Sequence, residues 1–263
     1  MTKYINTIVI GGGQAGLAAS EHLSNKNIKH IIFERDRIVE RWRTSRWDSL
    51  VANGPAWHDR FPTLKFSNID PDSFASKEMV VKYFEKFAKK IKAPINLNVN
   101  VEKVEKQSSN HKYLVTTSEG LYEADNIIVA TGAFQEPIIP NIIPSNSKVN
   151  QIHSQAYKNP EQFSDGSILV IGSGSSGSQI AEELRRSNRE VFFSVGPHDR
   201  PPRRYRGRDN VWWLGVLGKW EAKTPNPGTQ HVTIAVSGYD GGKTIDFRNL
   251  ANMGITLLGM TKG

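Results

Sequence analysis

The chain has 263 residues, of which 38% are hydrophobic and 23% charged, with a formal net charge of +8 and no cysteine. The absence of cysteine excludes a disulfide framework, a thiolate metal site, a cysteine nucleophile and a redox-active cysteine pair. No apolar run approaches the roughly 18 residues of a membrane span, and no small-residue cleavage site follows the amino terminus, so a cytoplasmic protein without a membrane partner is expected.

Residues 4–10 (YINTIVI) read as a strand buried on both faces, as a parallel sheet requires. GGGQAG follows at 11–16, then a helix from Gln14 to about Asn25 and a second strand at 29–34 (KHIIFE), which close a βαβ unit. In such a turn Gly11 makes the tight bend, Gly13 lets the backbone approach a pyrophosphate, and Gly16 lets the helix pack close. Gln14 and Ala15 stand at the helix start, where unpaired N–H groups and a partial positive charge face the phosphates. Glu34 ends the second strand, where a carboxylate can accept both ribose hydroxyls and would repel a 2′-phosphate; Arg35 follows it. This first site suits FAD or NAD rather than NADP.

Residues 37–68 are rich in aromatic residues and arginine without clear periodicity, a long loop region with short helices. The stretch 76–92 has Met79, Val80, Tyr83, Phe84, Phe87 and Ile91 at helical spacing. Its lysines (77, 82, 86, 89, 90 and 92) form a solvated face, which accounts for much of the positive charge without a nucleic-acid partner. Strands are expected at 97–106, 112–118 and 121–124, and a further buried strand at 126–130 is broken by Thr131 and Gly132. Pro137, Pro140 and Pro144 mark an interdomain linker over 135–148.

The opening pattern then recurs: strand 167–171 (SILVI), GSGSSG at 172–177, helix 176–187 and strand 190–194 (EVFFS). Gly172, Gly174 and Gly177 repeat the glycine logic, and Ser173, Ser175 and Ser176 add hydroxyl donors. The second strand ends at Ser194 with no acid. Arg200, Arg203, Arg204, Arg206 and Arg208 come after it, and guanidinium forks match phosphate bidentately. A 2′-phosphate, and so NADPH, is favoured over a merely solvated basic loop, with Arg200 and Arg203 among the candidates and the choice of arginine left open. The expected fold is α/β: two Rossmann-like three-layer (ββα/βαβ) dinucleotide-binding domains of the FAD/NAD(P)-binding fold, spanning residues 1–145 and 146–263.

The two motifs, the ATG-x-x-x-x-P segment from Ala130 to Pro137 and the aromatic loop together resemble the flavin-containing monooxygenases and, more broadly, the class B flavoprotein monooxygenases. The resemblance implies FAD at the first motif, NADPH at the second, and a domain crossing at the segment holding Thr131 and Gly132. It also places Trp42 near the flavin and uses backbone groups at Val101 to hold adenine. The stretch Trp47 to Asn53 is similar to one whose asparagine reaches flavin and nicotinamide, which makes Asn53 the candidate catalytic residue. Asn53 equally suits a turn before Gly54 and Pro55. The family fingerprint F-x-G-x-x-x-H-x-x-x-[aromatic] is met only at His153 and Tyr157, with Ser147 and Val149 where Phe and Gly are expected, and His153 reads equally as a structural residue. Family members are longer and return to the FAD domain with a Gly-Asp segment, so the expectation is a fragment or a natural short form.

The resemblance implies hydride transfer from NADPH to FAD, addition of O2 at C4a, and oxygen transfer to a soft nitrogen or sulfur centre of a small-molecule substrate. The flavin carries that chemistry while the protein orients it and keeps it dry. The alternatives are an NADPH-dependent flavoprotein reductase with a quinone or protein acceptor, and an inactive nucleotide-binding fragment. Trp212, Trp213 and Trp220 read as packing in the second domain rather than a substrate route. No metal site is expected, and the residues do not fix the oligomeric state, a homodimer included.

Overall fold

Apolar runs and glycine punctuation give two main sheets, the first mixed and the second parallel. The computed structural model describes residues 2–108, 112–144, 147–223, 226 and 234–262. The contacts divide the chain into two compact units: residues 1–45 with 78–138, and residues 46–77 with 139–263.

The first unit runs β1 (Lys3–Ile10), α1 (Gln14–Asn25), β2 (His30–Glu34) and α2 (Glu40–Thr44), then α3 (Lys77–Lys90), which begins at the division. It continues through β3 (Ile95–Leu97), β4 (Val101–Lys106), β5 (Tyr113–Thr117) and β6 (Gly120–Val129). The sheet order is β3-β2-β1-β6-β5-β4. β1 pairs parallel to β2, with Thr7 opposite His30, and parallel to β6, with Ile10 opposite Val129. Ile8 and Val9 point to opposite faces of β1 and both are completely buried, so the sheet is covered on both faces there. Ile8, Phe33, Val99, Val115, Tyr122 and Ala124 form one core layer, where Phe33 and Tyr122 meet edge-on at 4.8 Å. On α3 the buried residues are Val80, Val81, Tyr83, Phe84, Phe87 and Ala88, while Lys82, Lys86, Lys89 and Lys90 face outward.

The separate strands expected at 121–124 and 126–130 are one strand, β6, which is parallel to β1 along its length and antiparallel to β5 at its start. Only Asp125 separates the two expected strands. Asp125 is tolerated mid-strand because the Tyr4 hydroxyl and the Asn6 amide both donate to its Oδ2, at 2.5 and 3.2 Å.

The second unit repeats the βαβ pattern with β7 (Ile168–Ile171), α4 (Ser175–Arg186) and β8 (Val191–Ser194). A two-residue hairpin, β9 (Arg204–Tyr205) and β10 (Arg208–Asp209), leads into α5 (Asn210–Val216). The one-turn α6 (Tyr239–Gly242), α7 (Phe247–Asn252) and β11 (Thr256–Leu258) follow. The sheet is parallel, in the order β11-β8-β7. α4 buries Ile180, Ala181 and Leu184 against it.

Residues 46–77, expected within a first domain of residues 1–145, belong to the second unit. Their ties are non-local. The Asp48 N–H donates to Lys158 O at 2.8 Å, and the Ser49 hydroxyl and Tyr157 hydroxyl donate to the two oxygens of Glu183 at 2.7 and 2.8 Å. The expected boundary between residues 145 and 146 lies outside the described residues.

Candidate functional site

In the first unit the chain turns from β1 into α1 at Gly11, whose φ of +111° is the left-handed region that glycine supplies. The Gly11 N–H donates to Phe33 O at 2.8 Å, tying the turn to β2. A Cβ on Gly16 would stand 1.9 Å from Gly11 O, so the helix passes the turn at a distance only glycine permits. Gly13 differs: its backbone lies in the extended region, and a Cβ there would meet nothing within 4 Å. It is the N-cap of α1, with no side-chain cap and no acid in the first turn, so the N–H groups that begin at Gln14 and Ala15 stay available to an anion.

Glu34 closes this turn from the end of β2. Its Oε2 accepts the Gly12 N–H at 2.6 Å and its Oε1 accepts the Asp36 N–H at 3.0 Å. Each oxygen keeps a lone pair for a further donor such as a ribose hydroxyl. Gln135, which sequence reasoning passed over, joins the other residues of the site. It donates to Thr131 O, and its Oε1 accepts from Arg35 Nη2 at 3.2 Å and Arg41 Nη2 at 3.3 Å. Gly132, with φ of +85°, turns the chain at this point. Thus Gly11, Gly13, Glu34, Arg35, Thr131 and Gly132 gather at the carboxyl ends of β1, β2 and β6. That is where open α/β sheets bind ligands. Trp42 lies half-buried on α2, and Val101 opens β4 opposite Thr117, where the register shifts before Lys103.

The second unit builds the same turn from different residues. Gly172 has φ of +98°, its N–H donates to Ser194 O at 3.3 Å, and a Cβ on Gly177 would stand 1.8 Å from Gly172 O. Gly174 caps α4 without side-chain help or an acid in the first turn. Of the serines, Ser173 is fully buried, and its Oγ accepts the Gly196 N–H at 2.9 Å and lies 3.0 Å from His198 Nδ1. Ser175 Oγ accepts the Val236 N–H at 3.1 Å, and Ser176 is exposed. His198 Nε2 would lie 3.4 Å from a Cβ on Gly174, so an imidazole borders this turn. No sequence pattern pointed to it.

The arginines after β8 divide. Arg200, Arg204, Arg206 and Arg208 are exposed, and Arg200 lies over the Phe247 ring at 4.0 Å. Arg203, expected at a 2′-phosphate, is instead 2% exposed. Its Nε donates to Asp209 Oδ2 at 2.9 Å, its Nη1 donates to Asn53 O at 2.8 Å and Ser237 O at 3.3 Å, and Phe74 lies beneath it at 4.5 Å. Burial pulls the guanidinium below its usual range, and the neighbouring Asp209 carboxylate works against that shift. Committed inward in this way, Arg203 pins its own unit together and is not presented to a phosphate.

Asn53 is exposed, and its Oδ1 accepts from Gln179 Nε2 at 3.1 Å. His153 Nδ1 accepts the Gln155 N–H at 3.2 Å within a turn, and Tyr157 is buried with its hydroxyl on Glu183; burial, then that hydrogen bond, pushes the phenol pKa up. Both therefore have structural employment. Trp213 Nε1 donates to Tyr205 O at 3.0 Å and packs edge-on with Trp212, whereas Trp220 is 53% exposed and stacks on His58. Among the described residues no helix is long and apolar enough to cross a membrane, and no group of three or more His, Asp or Glu is arranged to hold a metal ion.

Residues 8–203 match the pyridine nucleotide-disulphide oxidoreductase family. An uncharacterized CzcO-like oxidoreductase of Geobacillus kaustophilus is 40% identical over 221 residues, covering 83% of this chain and 62% of the relative. The probable indole-3-pyruvate monooxygenase YUCCA4 of Arabidopsis thaliana is 32% identical over 184 residues, 69% of this chain and 44% of that protein. The chain spans about three fifths of the length of the curated CzcO relatives it matches. Among solved structures, a flavin-containing monooxygenase from Stenotrophomonas maltophilia superposes with a TM-score of 0.69 at 21% identity, over 99% of this chain and 79% of the other; this likeness is one of fold.

Proposed function

Because the chain belongs to the pyridine nucleotide-disulphide oxidoreductase family, we propose that it serves an FAD- and NADPH-dependent monooxygenase, with FAD at the first glycine turn and NADPH at the second. The observation that carries this reading is the pair of turns, alike in backbone and unlike at the strand that follows. Each offers an uncapped helix start, as a pyrophosphate requires, with open space at Gly13 and the His198 imidazole bordering Gly174. The first adds a fixed carboxylate, Glu34, suited to ribose hydroxyls; the second adds His198 and the exposed Arg200, suited to a further phosphate. Relatives named as monooxygenases support the same reading.

When bound, the two cofactors supply hydride transfer and oxygen activation, so that one oxygen atom passes to a soft nitrogen or sulfur centre of a small molecule. The chain's own residues bind and orient. The start of α1 faces a pyrophosphate, Glu34 holds a ribose, and the network of Arg35, Arg41 and Gln135 braces the Thr131–Gly132 turn. In the second unit the start of α4 would face the other pyrophosphate, and Asn53 of the same unit would offer its amide to the nicotinamide cofactor. A cytoplasmic location, where NADPH is held reduced, belongs to the same reading.

The test is reconstitution of the purified chain with FAD, followed by NADPH oxidation and transfer of labelled oxygen from O2 to a thioether or amine. Label in the product supports the monooxygenase. NADPH oxidation coupled only to a quinone would turn the reading to a reductase, and failure to take up flavin would overturn it.

A further inference from the structure

Asn53 is exposed, yet its side chain is held by Gln179 and its turn by separate backbone contacts. Gln179 Nε2 donates to Asn53 Oδ1 at 3.1 Å, which engages the amide oxygen and leaves the NH2 end to other partners. The backbone of the same turn is fixed independently. Arg203 Nη1 donates to Asn53 O at 2.8 Å, and the Gly54 N–H donates to Asp59 Oδ2 at 2.9 Å. Gln179 sits in the second turn of α4, just after Gly177, whose close approach to Gly172 O sets where that helix lies. Its position is therefore fixed by the same contact that shapes the second glycine turn.

An asparagine amide presents either an acceptor or a pair of donors depending on a half-turn about one bond, and the two ends are chemically opposite. We propose that Gln179 is a positioning residue that locks this choice. It engages the Asn53 oxygen and leaves the NH2 group for a ligand, so that Asn53 meets an electron-rich oxygen or nitrogen of the nicotinamide cofactor as a hydrogen-bond donor. The inference rests on the reading of Asn53 given above. It adds that the selecting group is carried by the helix of the second turn. A side chain on a rigid helix holds such a geometry better than one on a loop.

The test uses two substitutions. Gln179→Glu keeps size and shape but offers only acceptors; Gln179→Leu offers neither donor nor acceptor. In the 15N-labelled chain without cofactors, the side-chain amide of Asn53 is assigned by its disappearance in Asn53→Ala. Gln179→Glu is expected to draw that NH2 group into a hydrogen bond with the new carboxylate and move its proton resonances downfield, with no change in the thermal midpoint. In the FAD-loaded protein, hydride transfer from NADPH is expected to fall about tenfold in Gln179→Glu. Combined with Asn53→Ala, either Gln179 substitution is expected to add no further loss, because the two act as one unit.

An Asn53 amide signal that ignores Gln179→Glu overturns the proposal, as do fully additive losses in the double variants. A merely structural role for Gln179 would be retained by the isosteric Glu, leaving hydride transfer unchanged, and that too overturns it. If the amide signal moves while Asn53→Ala leaves hydride transfer intact, the reading of Asn53 falls and the clamp has no part in catalysis. A chain that takes up no flavin overturns the functional reading alone, with the amide spectra still deciding how Asn53 is held.

Discussion

A Cβ on Gly16 would stand 1.9 Å from Gly11 O, while one on Gly13 would meet nothing within 4 Å. The two glycines of one motif therefore fail in different ways. Gly16→Ala is expected to destabilise the first unit by about 1–3 kcal/mol or more, because backbone cannot yield as a flexible side chain does. Gly13→Ala has an allowed backbone conformation and is expected to leave stability within about 0.5 kcal/mol while weakening flavin uptake, since the methyl group occupies the space meant for a pyrophosphate. Urea unfolding and a flavin fluorescence titration separate the two outcomes. Arg203 is governed by a different balance. Removing one partner of a buried ion pair leaves an uncompensated charge, so Asp209→Ala is expected to cost about 3–5 kcal/mol. Replacing Arg203 and Asp209 together by apolar residues should recover much of that loss in the same unfolding assay.

At the scale of elements, short segments of the second unit are joined through Asp48. Asn159 Nδ2 donates to its Oδ2 at 2.8 Å, and Lys77 Nζ to its Oδ1 at 3.1 Å. The Asn159 hydrogen bond, and after it that of Lys77, holds the carboxyl below its usual range. A depressed folded value means the contribution is fully present above the ordinary aspartate pKa of about 3.9 and is lost as pH falls through the lower folded value. The stability difference between the natural chain and Asp48→Asn is therefore expected to be flat down to about pH 4 and to shrink below it. Urea unfolding at stepped pH measures it, and a difference that instead grew on acidification would contradict the assignment.

Elements with a local signature were legible in the sequence. The glycine turns, α1, α4 and the strands before them are specified by residues within a few positions of one another, and Glu34 follows from its place at a strand end. What the sequence hid is non-local. β6 looked interrupted because the donors to Asp125 come from Tyr4 and Asn6 on another strand. Arg203 looked like a phosphate ligand because its acceptor on Asn53 lies 150 residues away in the chain. Gln135 and His198 carry no motif at all; only the folded backbone brings them to the two turns.

At the scale of the whole molecule, the path of the chain matters most. It leaves the first unit after Ser45, contributes residues 46–77 to the second, returns through α3, and goes back at Ile139. A chain cut to residues 139–263 would hold every strand of the second sheet and still lack Ser49 for Glu183, Asn53 O for Arg203 and the ring of Phe74. Buried polar groups left without partners cost about 1–3 kcal/mol each, against a total stability of about 5–15 kcal/mol for a whole domain. Such a cut chain is expected to lack a cooperative unfolding transition, and adding residues 46–77 as a separate peptide to restore one. Circular dichroism and proteolysis report both outcomes; a stably folded 139–263 chain would refute the expectation.

The interleaving also bears on how such a protein can be recombined. A single crossover near residue 139 would join a second unit to a foreign 46–77 segment, with the acceptor for Arg203 and the hydroxyl donor to Glu183 drawn from another lineage. Exchange of the second unit between relatives must therefore carry two stretches of gene at once. Chimaeras that swap both should survive where those that swap one do not.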